Sequence, residues 1–213
     1  FMTAVLTSEI GHSAIDVEDK ENKLVTYLEE ARRMGIKVLP PDVNRSETRF
    51  SIEDGHIRFG LLAIKNVGMG AADSMVAAAR EKPFLNLDDL CSRVDLHAVN
   101  KKTPESLTKA GALDCLRPAE PPHAARSRLL LAIDETVGRQ QRVKADLDKG
   151  QGLLFGATPP PAPMSGGADT AVKPLSEHDT LAFEREVLGF YFSGHPLLAV
   201  KMQMKAAAAN LDL

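Results

Sequence analysis

The residues of this chain best suited to chemistry are Ile64-Lys65-Asn66-Val67-Gly68-Met69-Gly70, set between an apolar segment, Phe59 to Ala63, and a helix-forming run, Ala71 to Arg80. The order reads as a helix, a very tight turn and a second helix. Gly68 and Gly70 leave backbone amides uncovered by side chains, and the second helix opens with N–H groups that have no intrahelical partner. Such a place can hold a phosphate. Other reactive residue types are present without a reactive pattern. Asp88-Asp89 reads as helix capping and Asp146/Asp148 as a solvated helix face. His12, His56, His97, His123, His178 and His195 show neither ligand nor triad spacing. The expectation is therefore a chain with no catalytic and no metal-binding residues.

The spacing of Ile64, Val67, Ala72 and Met75 fits a helix-hairpin-helix module, in which apolar residues lock two short helices and the glycine turn meets a nucleic-acid backbone. Contacts of that kind position DNA without reading its sequence. Asn66 stands where many such modules carry a further glycine, and Asn tolerates a left-handed backbone. Lys65, Lys101, Lys102 and Lys109 would add sequence-independent affinity, so the candidate DNA-binding set is Lys65, Asn66, Val67, Gly68, Met69, Gly70, Lys101, Lys102 and Lys109. On these residues alone an ordinary helix-helix connection explains the turn as well.

A second suggestive segment is Gln151-Gly152-Leu153-Leu154-Phe155, lying directly before a stretch rich in Pro, Gly, Ala and Ser, Ala157 to Pro174. That stretch holds too few large apolar groups to offset the entropy of ordering, and reads as a disordered linker. Large apolar residues beside such a linker suit a peptide anchor: Leu154 and Phe155 would fill a partner's apolar pocket while Gln151 hydrogen-bonds at its edge. Folding of the same residues onto the preceding helix is the competing reading.

The elements that must position these residues follow from periodicity. Asp19 to Met34 is an amphipathic helix with Leu24, Leu28 and Ala31 on one face and Gly35 as its stop. Ile36 to Leu39 reads as a short strand ended by Pro40-Pro41. Arg49 to Glu53 and His56 to Phe59 alternate around Asp54-Gly55, which predicts a two-residue β-hairpin whose Phe50, Ile52, Ile57 and Phe59 pack beneath helices. Asn86 to Cys91 is a capped short helix. Thr103 is expected to cap another that runs to Ala110, with Pro104 in its first position and Gly111 as its stop. His123 to Lys149 forms a long helix that Gly138 could interrupt, and Ser176 to Leu188 a capped helix followed by Gly189 and Phe192-Ser193-Gly194-His195-Pro196.

With 213 residues, 44% of them apolar, the chain can hold one large or two small domains. No apolar run approaches the ~20 residues needed to span a bilayer. The start carries no signal-peptide pattern, which predicts a cytoplasmic protein, and a first residue other than Met suggests a piece of a longer one. Cys91 and Cys115 lack disulfide or zinc spacing and read as buried, reduced thiols. A net charge of −3 gives no global attraction to nucleic acid, so binding must come from local patches.

Several long motifs in order give a resemblance that covers nearly the whole chain. Phe1 to Thr7, Arg33 to Asn44 with its Pro40-Pro41-Asp42-Val43-Asn44, Arg58 to Gly68, Leu107 to Asp114 and Glu186 to Leu197 together resemble the alpha subunit of bacterial DNA polymerase III, a replicative C-family polymerase. The resemblance implies a mainly α fold with a small β-hairpin, a tandem helix-hairpin-helix segment to about Leu116, a long helix and a flexible linker. Residues 1–80 would be the end of the fingers region with the hairpin and the first helix-hairpin-helix, and 81–150 the second with the long helix. Residues 151–175 would carry the clamp-binding motif and linker, and 176–213 a helical segment leading toward an OB domain absent from this chain. Gln151, Leu153, Leu154 and Phe155 match the family's internal sliding-clamp motif, with Gly152 and Leu153 at permissive positions. The implied partners are DNA, the clamp and the remaining polymerase domains. The palm carboxylates that hold two metal ions would lie upstream of Phe1, so Mg2+ belongs to the full polymerase and this piece is noncatalytic. A free-standing helix-hairpin-helix DNA-binding protein and a purely structural scaffold are the alternatives.

Overall fold

A computed structural model describes residues 1–10, 23–94, 101–148 and 172–194. Seven α-helices and a three-stranded sheet are seen among them: α1 (Met2–Ser8), α2 (Lys23–Arg33), β1 (Val38–Leu39), β2 (Ser51–Glu53), β3 (His56–Arg58), α3 (Met69–Glu81), α4 (Leu87–Arg93), α5 (Lys102–Lys109), α6 (Pro122–Asp148) and α7 (Glu177–Leu188). Single 3-10 turns occupy Leu61–Ala63 and Asp114–Leu116. Among the described residues no helix is long and apolar enough to cross a membrane.

The hairpin forms where Asp54-Gly55 predicts it. Both turn residues have positive φ, 50° and 78°, the combination that matches the twist of the strands it joins. β2 runs antiparallel to β3, with Ile52 opposite Ile57. The sheet also has a third strand: β1 pairs parallel with β3, Val38 opposite Ile57, giving the order β1-β3-β2. The central strand is consequently the buried one. Phe50, Ile57 and Phe59 lie in the core, whereas Ile52, expected there too, is 72% exposed because β2 is the sheet edge.

Helix α2 buries Leu24, Leu28 and Ala31, as its pattern requires, and Gly35 follows with φ 78°. Asn86 caps α4 by accepting from the Asp89 N–H. Helix α5 starts at Lys102, two residues before the expected first position at Pro104, and Thr103 is not its cap; its hydroxyl donates instead to the Asn66 carbonyl, 2.9 Å away. Helix α6 runs without a break through Gly138. Helix α7 opens with a reciprocal capping box between Ser176 and Asp179 and closes on Gly189 at φ 82°. The aromatic rings of Phe50, Phe59, Phe190 and Phe192 follow one another at centroid spacings of 4.9, 5.8 and 5.7 Å, carrying the core from the hairpin to the segment after α7.

Candidate nucleic-acid interface

The glycine turn is built from less helix than its sequence suggests. Ahead of it stands only the 3-10 turn Leu61–Ala63, and α3 begins at Met69, so Gly70 already lies in the first helical turn. The lock is the expected one. Ile64, Val67, Ala72 and Met75 are all buried, while Lys65, Asn66, Gly68, Met69 and Gly70 face outward. Asn66 takes the left-handed conformation, φ 64°, and its amide donates to Ser106 Oγ at 3.0 Å. With Thr103 on its carbonyl, Asn66 ties the turn to α5 from two atoms. The Lys65 N–H donates to the Val187 carbonyl at 2.9 Å and ties it to α7.

Gly68 is the N-cap of α3 at φ −80°, ψ 162°, an extended conformation that any residue adopts. Its side-chain-free face meets no atom within 4 Å of where a Cβ would stand. The backbone at Gly68 is therefore unstrained and its face open. No side chain caps α3, so its leading N–H groups and the positive end of its dipole look out across a bare surface.

The four candidate lysines differ in their surroundings. Lys65 and Lys102 are exposed. Lys101 pairs with Asp134 at 2.7 Å and Glu105 at 3.8 Å, the Asp134 bond chiefly raising its pKa. Lys109 donates to both oxygens of Glu186, at 2.8 and 2.9 Å, and lies over the Phe183 ring. Much of the charge of these two is therefore compensated within the molecule. Gln151, Leu153, Leu154 and Phe155 lie outside the described residues, as do His12, His97 and His195.

The Asp88 and Asp89 carboxylates are engaged within the molecule. Asp89, inside α4, accepts from the Leu85 N–H at 3.0 Å and pairs with Arg93, and Asp88 pairs with Arg139. Among the described residues no three of His, Cys, Asp and Glu converge on one point. Cys91 is buried and Cys115 half-buried, and burial pushes both thiols up to about 12.

Sequence reasoning missed three fixtures of this region. Glu184 on α7 is almost wholly buried. It receives the Phe192 and Ser193 N–H groups at 2.7 and 2.8 Å, the Ser193 hydroxyl, and Arg126 of α6 at 3.3 Å. Arg126 also grips Asp114 with two nitrogens, at 3.0 and 2.7 Å. Burial works against the Arg126 charge, but the bonds and charges of Asp114 and Glu184 outweigh it and raise its pKa. Asn44 holds the Phe84 backbone in both directions, accepting from its N–H at 2.7 Å and donating to its carbonyl at 3.0 Å. Gly60 fits against the Arg49–Phe50 peptide, where a Cβ would lie 2.4 Å from the Arg49 carbonyl carbon. One signal was available for Glu184: it sits three residues from both Leu181 and Val187, on the apolar face.

A helix-hairpin-helix motif family matches residues 35–121, the span from the first strand through the Asp114 turn. The DNA polymerase III alpha subunit of Bacillus subtilis is 39% identical over 209 residues, 98% of this chain and 17% of that protein. Over this stretch the chain is homologous to the DNA polymerase III alpha subunits. The alpha subunit of Pseudomonas aeruginosa is 37% identical over 92% of the chain and 17% of its own length, and that of Mycobacterium tuberculosis 37% over 94% and 16%. The chain thus spans about one sixth of these relatives.

Proposed function

We propose that this chain is a DNA-binding, noncatalytic part of the replicative polymerase, holding duplex DNA by its backbone at Gly68–Gly70. The observation that carries the reading is the bare, outward-facing start of α3, locked by Ile64, Val67, Ala72 and Met75 within a matched helix-hairpin-helix region. Phosphate oxygens would accept from the leading N–H groups of α3, with Lys65 and Lys102 supplying exposed positive charge. Phosphoryl transfer would belong to the remainder of the polymerase, together with its Mg2+; the Asp88 and Asp89 carboxylates are engaged by Arg139 and by Arg93 with the Leu85 N–H. The match across 98% of the chain supports a polymerase part over a free-standing DNA-binding protein. The test is duplex binding by fluorescence anisotropy between about 50 and 200 mM salt. The reading expects a steep, linear loss of log affinity that is the same for unrelated sequences. Weak salt dependence would contradict it.

Clamp attachment through Gln151, Leu153, Leu154 and Phe155 is proposed on the sequence pattern. A short peptide pays ordering entropy, so the expected affinity is micromolar, about −8 kcal/mol. Burying Leu154 and Phe155 at ~1.5 to 3 kcal/mol each supplies much of that. Calorimetry with the bacterial sliding clamp should show near-complete loss in the Leu154→Ala, Phe155→Ala double variant. Equal affinity would remove the motif from the account.

A further inference from the structure

Beside the glycine turn lies a cleft of about 590 Å³ between the turn and α7, lined by Lys65, His178, Leu181, Arg185, Glu186 and Tyr191. Its position is fixed by the backbone bond from Lys65 to Val187, which sets the turn against the last turn of α7. The one carboxylate in the lining, Glu186, is held by Lys109. Arg185 is exposed and its guanidinium bonds the Tyr191 hydroxyl at 3.1 Å, with the charge 5.8 Å from that ring. A neutral, aromatic partner orients Arg185 without cancelling its charge. Lys65 belongs to both the turn and the cleft.

We infer that this cleft is a second backbone subsite, in which Arg185 and Lys65 hold phosphates of the strand that runs on from Gly68–Gly70. The occupant is DNA, and the inference rests on the proposed phosphate contact at the turn. Three features select a polyanion: two outward cations, a carboxylate already neutralised, and continuity with the bare start of α3. In a chain of net charge −3, such a local positive run is where nucleic acid would lie. Helix α7, which lies beyond the matched motif at residues 35–121, thereby becomes part of the DNA-binding surface.

The experiment compares the full chain with Arg185→Ala, Arg185→Lys and Gly68→Val, measuring duplex DNA anisotropy across salt, with circular dichroism to check folding. Arg185→Ala should weaken binding to all sequences and lower the salt slope by about one unit, so that its deficit narrows about fourfold between 50 and 200 mM salt. Arg185→Lys should restore the slope, which a merely structural role for Arg185 would not require. An unchanged slope in Arg185→Ala, with Gly68→Val still impaired, would overturn the cleft and leave the turn standing. Parent-like binding by both variants would overturn the two together.

Discussion

Asn66 shows how one residue serves both local geometry and assembly. It holds a left-handed backbone and reaches Ser106 with its side chain. Asn66→Ala should lose the hydrogen bond and carry a left-handed penalty of about 1 kcal/mol or more, whereas Asn66→Gly should lose only the bond. Urea unfolding should rank them parent, Gly, Ala. Glu184 is a graver loss. Glu184→Leu leaves Arg126 with one carboxylate and two backbone donors without their acceptor, which should cost about 3 kcal/mol or more. A change in unfolding midpoint smaller than for an exposed substitution such as Glu177→Leu would contradict that. Glu53 makes the stability depend on pH. The hydrogen bond from Arg58, at 2.6 Å, leads in holding its carboxyl below the ordinary 4.5. A depressed folded value means the stabilisation is complete above 4.5 and fades as pH falls through the lower folded value. Glu53→Gln should therefore narrow the stability gap between neutral pH and about pH 3.

Elements were legible where a local rule governs them. Asp54-Gly55 fixes the hairpin, Ser176 with Gly189 fixes α7, and the apolar spacing of Leu24, Leu28 and Ala31 fixes α2. The parallel pairing of β1 was not legible, because a two-residue strand has no period to read and its partner lies beyond two prolines. The helix expected before the glycine turn shrank to one 3-10 turn because Gly60 must first pass close over Arg49–Phe50. Thr103 was misplaced for a similar reason: its hydroxyl serves Asn66, a partner distant in sequence. Gly60→Ala should lower stability by about 1 to 3 kcal/mol, since the obstacle is backbone that cannot step aside. Gly68→Ala should stay within about 1 kcal/mol of the parent. A reversed order in thermal unfolding would refute the assignment of crowding to Gly60 and openness to Gly68.

At the scale of the molecule, the glycine turn is held from α5 and α7 at once, and α7 in turn is fixed to α6 through Glu184 and Arg126. A phosphate bound at α3 would thus meet a surface whose parts already stand in place, which limits the entropy lost on binding. The sequence made the turn, its apolar lock and its lysines legible, since these are local. It could not show that Lys101 and Lys109 are engaged by Asp134 and Glu186, residues 33 and 77 positions away. Nor could it show that the Gly68 backbone is unstrained and its face open, so that the glycine would serve access and not strain. That distinction gives the most direct measurement: duplex DNA affinity of Gly68→Val at low salt, beside its unfolding midpoint. The account predicts a stability close to the parent and binding weakened equally for every DNA sequence, because a branched side chain stands where the phosphate would approach. A folded Gly68→Val variant that binds DNA as the parent does would contradict it.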